Sequence, residues 1–265
     1  MLRALYTSAT GMKAQELLID NTANNLANVN TTAFKRSRVD FADLYYTNQR
    51  TPGSSVSNAQ VSPTGLQIGN GVRVVATSKS FVNGTAEQTG NPLDVAIEGD
   101  GFFPVQVTNG ETRYTRAGSF KLDSQGRLTT PGGYLVLPGI TINNGSDSTS
   151  ITVGKDGTVQ VGTAGSAQDR QTVGQIQIAT FLNPAGLSSE GDNLYAATVA
   201  SGAAQLGSPG ATGYGQLNQG FLEGSNVEVV TELISLIAAQ RAYEINSRAI
   251  RAGDEMLSTS IDIVR

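Results

Sequence analysis

Cysteine, histidine and tryptophan are all absent from this chain of 265 residues. Without cysteine the chain can form neither a disulfide framework nor a thiolate metal site. Without histidine it lacks the commonest general base and metal ligand. The remaining residues form no phosphate-binding loop and no catalytic triad. We therefore predict that the protein is not an enzyme, that it has no catalytic, metal-binding or cofactor-binding residues, and that it uses no cofactor.

Charge and long apolar runs are also scarce. Charged residues make up 15% of the chain, against about 25% in ordinary soluble proteins. The net charge is −4, so there is no basic excess to bind nucleic acid. No run approaches the roughly 20 apolar residues of a membrane span, and polar residues interrupt the segment that follows Arg3. We expect no membrane span, and export without a cleaved signal peptide.

A helical pattern is present at each end of the chain. Apolar residues recur at steps of three and four from Leu2 to Asn28 and again from Ser225 to Ile263, which predicts one narrow stripe on each of two helices. We interpret both stripes as seams for other helices. The predicted N-terminal seam comprises Leu2, Leu5, Ala9, Met12, Ile19, Ala23 and Leu26. The predicted C-terminal seam comprises Val227, Val230, Ile234, Ile237, Ala242, Ile245, Ala249, Ala252 and Met256.

Polar residues add two predictions about these helices. Ser225 is followed three residues later by Glu228, the spacing of a capping box at a helix start. A polar stripe in the first helix comprises Asn21, Asn24, Asn25 and Asn28. Because asparagine is a poor helix former, this stripe indicates either a fraying helix end or side-chain amides that bind neighbouring chains.

The sequence between the helices is of two kinds. Residues 47–71 are rich in Ser, Thr, Asn, Gln, Gly and Pro, which favours an extended, weakly structured arm. Short alternating segments follow, with an Asp156-Gly157 turn between two of them, as is typical of antiparallel hairpins. The predicted organisation is a helix over residues 1–30, an extended arm over 31–71, a central β domain over 72–214, a return arm over 215–224 and a helix over 225–265.

We therefore predict an α+β fold in which the terminal seam helices pair as an α-helical coiled-coil domain, with extended arms and a central antiparallel all-β domain. Two helices with such narrow seams bury too little to be stable by themselves, because ordering each residue costs more than 1 kcal/mol. We expect them to become ordered when copies of the chain assemble.

Motifs in both helical ends and in the β region resemble those of the bacterial flagellar rod and hook proteins. The end motifs are ANNLANVNTTAFK at 23–35, QGFLEGSNV at 219–227 and QRAYEINS at 240–247. The β-region motifs are DVAIEGDGFF at 94–103, YTRAGSF at 114–120 and GDNLY at 191–195. The family usually has glycine where this chain has Ala33. Within the family, the arm ending PTGLQIGNGV at 63–72 is similar to that of distal-rod members.

The resemblance implies a structural subunit of the distal rod that passes through the flagellar type III export apparatus and polymerises into a helical tube. Such a tube is a rigid drive shaft that transmits motor torque and encloses the export channel, and its location is the basal body, across the periplasm to the outer membrane. The implied partners are further copies of the chain, proximal-rod proteins, the hook protein, the P-ring and L-ring proteins, the rod cap and the export apparatus.

The resemblance also implies that the arm stiffens the rod, through Pro63, Gly65, Leu66, Ile68, Gly69 and Gly71. A disordered linker is the alternative for this segment. For the whole chain, the alternatives are a hook or proximal-rod subunit and, from another class, a secreted β-domain adhesin or hydrolase.

Overall fold

The computed structural model describes residues 2–53, 55–57, 60–61, 63–142, 149–163 and 170–263. The fold is α+β, with a helix near each end of the chain and a β-rich region between them, as predicted. The chain forms two compact units. Unit 1 comprises Met1–Ala27, Ser37–Ser78 and Glu228–Arg265, and unit 2 comprises Asn28–Arg36 and Lys79–Val227. In the part of the chain that is described, no helix is long and apolar enough to cross a membrane.

Unit 1 contains the two long helices, α1 (Leu2–Ala27) and α2 (Val229–Ile263). Helix α1 ends just before Asn28, where the asparagine-rich and β-branched residues begin, because these residue types favour non-helical backbone. Helix α2 begins three residues later than it would if Ser225 were its N-cap.

Residues 37–78 of unit 1 form a β-ribbon, which we define as the strands β1 to β6. Strand β1 (Ser37–Asp43) pairs with β6 (Val72–Lys79). The antiparallel pairs β2 (Thr47–Arg50) with β5 (Leu66–Ile68), and β3 (Ser55–Ser57) with β4 (Gln60–Val61), follow toward its tip. The prediction of a weakly structured arm is therefore wrong for the described residues, because backbone hydrogen bonds between strands do not depend on the polar side chains that suggested a loop. The predicted boundary at residue 72 also fails, since β6 belongs to the ribbon.

Unit 2 is built from short strands. Its largest sheet has seven strands in the order β11-β12-β13-β9-β10-β19-β18, and β14, β15 and β16 form a second sheet. The strands are β7 (Ala86–Gln88), β8 (Val95–Glu98), β9 (Phe103–Gln106), β10 (Thr112–Thr115), β11 (Lys121–Leu122), β12 (Leu128–Thr129), β13 (Leu135–Val136), β14 (Thr149–Val153), β15 (Thr158–Thr163), β16 (Arg170–Gln175), β17 (Ile178–Thr180), β18 (Ser188–Gly191), β19 (Leu194–Ala196), β20 (Gln205–Gly207), β21 (Gln216–Gln219) and β22 (Phe221–Glu223).

The alternation of apolar residues in unit 2 corresponds to a buried core. Phe103 and Phe120 pack edge to face with their ring centroids 4.9 Å apart, and Ile176 and Ile178 are fully buried beside them. The hairpin predicted around Asp156-Gly157 is present, with Val153 opposite Val159. The predicted return arm is not an arm, because β21 pairs with β8 and β22 pairs with β7.

Candidate assembly surface

Helices α1 and α2 pack against each other inside unit 1. Leu5 contacts the backbone of Gly253, the side chain of Asn246 lies against Gly11, and Asn25 donates a hydrogen bond to Glu232 at 3.2 Å. The contacts pair the start of α1 with the end of α2, so the helices run antiparallel. Two glycines at this contact bring the helices close together, since neither has a side chain to keep them apart.

Apart from Leu5, which lies against Gly253, the faces that meet inside the chain are not the predicted seams. The buried residues at this contact are small or polar: Ala14, Thr22 and Asn25 on α1, and Glu232, Ala239 and Gly253 on α2. The seam predictions followed large aliphatic residues, whereas the intrachain contact depends on close backbone approach and hydrogen bonding. The contact between the two helices of one chain therefore does not follow most of the predicted seam, and the role of the seam between copies stays a prediction.

The predicted C-terminal seam lies instead on the outward face of α2, opposite its buried face. Its large members are each more than half exposed, from 54% for Met256 to 67% for Ile245. The exposed residues of this stripe are Val230, Ile234, Ile237, Ile245, Ala249, Ala252 and Met256. Ala242 is half-buried, and Val227 is buried in unit 2, before the helix begins.

The predicted N-terminal seam is divided between two faces of α1. Leu2, Ala9 and Ala23 are exposed, as is Glu16, which shares their spacing. The half-buried members are Leu5, Met12, Ile19 and Leu26. Only part of this seam is therefore available to another molecule.

The asparagine stripe of α1 makes contacts within the chain. Asn25 accepts a hydrogen bond from the Ser37 backbone N–H at 2.9 Å and donates one to the Ser37 carbonyl at 2.9 Å. Asn21 donates to the same carbonyl at 2.8 Å. Asn24 is exposed, and Asn28 lies just beyond the helix, where it accepts from the Thr31 hydroxyl at 3.1 Å. For Asn21 and Asn25, neither predicted alternative holds: they fasten the first strand of the ribbon to α1.

The predicted capping box does not form. Ser225 accepts a hydrogen bond from Val227 N–H at 3.3 Å, and the first intrahelical bond runs from Glu232 N–H to the Glu228 carbonyl at 3.0 Å. The physical reason lies at Asn226, whose amide donates to the carbonyls of Ser80 and Val82 at 2.8 and 3.0 Å. These bonds hold residues 225–227 in unit 2 and delay the helix until Val229.

The predicted rod-stiffening residues lie on the returning half of the ribbon. Ile68 is opposite Thr47 and Leu66 is opposite Arg50. Gly71 has a φ of 114° and its backbone lies against Thr10 of α1, where a side chain would overlap the threonine hydroxyl. Of the others, Pro63 is exposed, while Gly65 and Gly69 are half-buried.

A buried charge cluster, defined as Lys35, Arg116 and Glu223, lies inside unit 2. Glu223 accepts hydrogen bonds from Lys35 Nζ and Arg116 Nε, each at 2.6 Å, and from Gly84 N–H at 2.9 Å. Burial lowers the pKa of Lys35, although the Glu223 carboxylate acts in the opposite direction. No local sequence pattern points to the partner of Lys35, which is 188 positions away.

Three parts of the sequence match families of known flagellar proteins. Residues 5–35 match the flagella basal body rod protein family, residues 96–161 match the flagellar hook protein FlgE/F/G D1 domain, and residues 218–263 match the flagellar basal body rod FlgEFG protein C-terminal family. The flagellar basal-body rod protein FlgG of Caulobacter vibrioides is 48% identical over 98% of both chains. The proteins of the same name from Borreliella burgdorferi and Bacillus subtilis are 45% and 42% identical over the whole of both chains.

The chain belongs to the flagellar rod and hook family. It is a structural subunit of the flagellar basal-body rod. The relatives are rod proteins, which confirms the prediction that this one is not an enzyme. Among the described residues, no group of three or more acidic side chains is arranged to hold a metal ion.

The buried charge cluster unites the motifs that resemble this family. Lys35 ends the first motif, Arg116 lies in YTRAGSF and Glu223 lies in QGFLEGSNV. Arg116 also donates to the carbonyls of Gly99 and Gly101 in DVAIEGDGFF, at 2.6 and 3.2 Å. The first motif also contains Ala33, which adopts a φ of 57°, a conformation that glycine adopts more readily than alanine. Four distant motifs of the rod protein thus converge on one carboxylate.

Proposed function

We propose that this rod protein is the subunit of the distal rod, and that it polymerises into a rigid tube through its two terminal helices, which assemble as a coiled-coil layer around the export channel. The tube transmits motor torque to the hook. The observation that carries the proposal is the outward aliphatic face of α2, which contains Val230, Ile234, Ile237 and Ile245. A contiguous apolar face of this kind marks a protein interface.

The energetics favour assembly through this face. Burying one large aliphatic side chain contributes about 1.5–3 kcal/mol. Four such side chains lie on one face of α2. A neighbouring copy that covers this face buries all four, and their burial stabilises the contact. Because the inner face of α2 is already occupied by α1, the outward face remains available for a neighbour.

The remaining partners follow from the place of a distal rod in the flagellum. They are the proximal-rod proteins, the hook protein, the P-ring and L-ring proteins, the rod cap and the type III export apparatus. The location is the rod across the periplasm to the outer membrane.

The β-ribbon supports a stiffening role for the arm. Its strands are paired, and large side chains project from it, with Tyr45 93% exposed and Leu66 48% exposed. A paired ribbon resists bending more than a single extended chain does, so it fills the space between neighbouring subunits as a rigid element.

Electron microscopy of purified full-length protein tests the assembly proposal. We expect straight tubes above a threshold concentration, and their loss in the double variant Ile234→Asp/Ile237→Asp, because two carboxylates on the outward face oppose its burial. Val199→Asp is the matched control, since Val199 is a fully exposed aliphatic residue of unit 2. Tubes formed equally well by the double variant would contradict the proposal. Curved tubes would favour a hook subunit, and a monomer at every concentration would favour a secreted β-domain protein.

A further inference from the structure

Helix α1 has an exposed face of its own, outside its contact with α2. Leu2, Ala9, Glu16 and Ala23 are spaced seven residues apart and exposed, so they form one line along the helix. Asp20 is exposed one turn beyond Glu16. This face combines Leu2 and small side chains with two carboxylates and one ammonium group, that of Lys13, which is exposed three residues before Glu16, so its net charge is −1.

The outward face of α2 has the opposite character. Its large aliphatic residues alternate with Arg241 and Arg248, which are exposed on the same side of the helix. Arg241 pairs with Glu244 at 3.0 Å, and that pair is exposed. Within the described part of the chain, Arg248, Glu16 and Asp20 form no ion pair.

The outward faces of α1 and α2 are two different surfaces, and neither takes part in the contact between the two helices. We propose, building on the proposed function, that the outward face of α2 in one copy docks on the outward face of α1 in the next copy. Glu16 and Asp20 then lie opposite Arg241 and Arg248, and the isoleucines of α2 lie over the alanines of α1.

The charges and sizes of the side chains favour this arrangement over a symmetric one. If α2 docked on α2, like charges would meet, because both surfaces carry Arg241 and Arg248, and like charges across an interface are unfavourable. If α1 docked on α1, carboxylates would meet carboxylates. Docking α2 on α1 joins two different surfaces, and such a heterologous contact leaves one free surface at each end. Repetition therefore produces a continuous array and not a closed dimer.

Charge reversal in the full-length chain tests the contact. Glu16→Arg/Asp20→Arg and Arg241→Glu/Arg248→Glu should each raise the threshold concentration for tubes at least about tenfold. The fourfold variant that combines all these changes should return to near the unmodified threshold. Arg170→Glu is the matched control, because Arg170 is an exposed arginine of unit 2, and it should leave the threshold unchanged.

Mixing the two reversed proteins provides a second readout. Each carries like charges on both outward faces, so neither assembles alone, whereas an equal mixture should form tubes in which the two proteins alternate. Circular dichroism of each variant verifies that the helices are retained. Reversed variants that assemble normally, or fail without rescue in the fourfold variant and in the mixture, overturn the docking proposal while the unmodified protein still forms tubes. Failure of the unmodified protein to form tubes overturns the proposed function instead.

Discussion

Glu223 is the carboxylate at the centre of the buried charge cluster in unit 2. It is 3% exposed, and both its carboxylate oxygens are bound: one to Lys35 and Gly84, the other to Arg116. One negative charge therefore faces two buried positive charges. A buried cation left without its counter-ion is strongly unfavourable, so the cluster is more costly to break than to replace as a whole.

We predict that Glu223→Gln lowers the free energy of unfolding by about 3–5 kcal/mol, because it leaves Lys35 and Arg116 buried without a negative charge. Urea denaturation of the full-length protein, followed by tyrosine fluorescence, measures the change. Glu190→Gln is the control, since Glu190 pairs with Arg113 at an exposed site, and its loss should cost less than about 1 kcal/mol. Equal losses of unfolding free energy in the two variants would show that burial does not increase the cost of removing the carboxylate charge.

At the scale of elements, the ribbon is fixed to α1 at both of its ends in sequence: Asn21 and Asn25 bind Ser37, and Gly71 approaches the helix closely. Gly71 has a positive φ and lies against Thr10, and the backbone N–H of Val72 donates to the Thr10 hydroxyl at 3.4 Å. A side chain at position 71 would both strain the backbone and displace the ribbon from the helix.

We predict that Gly71→Ala destabilises the packing of the ribbon on α1 by about 2 kcal/mol, because the added methyl group overlaps Thr10 and the backbone conformation disfavours alanine. Hydrogen exchange should accelerate at the backbone amides of β1 and β6, with unit 2 unaffected. Gly69→Ala is the control, because an added methyl group there meets only the Tyr46 ring, at 3.4 Å. Similar exchange in both variants would argue against a specific fastening at position 71.

The same elements show what the sequence could predict. Both helices, their approximate ends and the hairpin at Asp156-Gly157 follow from local periodicity and turn residues. The helix pairing does not, because Gly11 and Gly253 carry no apolar signal even though they permit the close approach. The large aliphatic residues, which do carry that signal, lie on the outward face of α2.

Two further features could not be predicted from the sequence, each for its own physical reason. The ribbon is held by backbone hydrogen bonds, so its polar composition resembles that of a loop. The burial of Lys35 depends on a carboxylate 188 positions away, and no local pattern reveals a partner at that distance. Sequence periodicity predicts which surfaces are apolar, but not which of them the chain itself covers.

At the scale of the whole molecule, the proposed assembly covers the outward face of α2. The accessibility of α2 to a protease should therefore depend on whether the protein is assembled. We predict that trypsin cleaves the unassembled full-length protein within α2, at Arg241, Arg248 or Arg251, at least about ten times faster than it cleaves the assembled tubes. Mass spectrometry of the fragments at low and high protein concentration measures the ratio. Arg116, which is 2% exposed, is the internal control and should resist in both states. Equal protection of α2 at all concentrations would show that its helix is stable without neighbours.

The distance in sequence between Lys35 and Glu223 also affects when unit 2 can fold while the chain is being synthesised. Whichever of the two emerges first remains solvated, since burying it alone would leave an unmatched charge in a dry interior. Unit 2 can close only after both have arrived, together with Arg116 from between them. An incomplete chain is therefore less able to fold unit 2 early, because its buried charges still lack a partner.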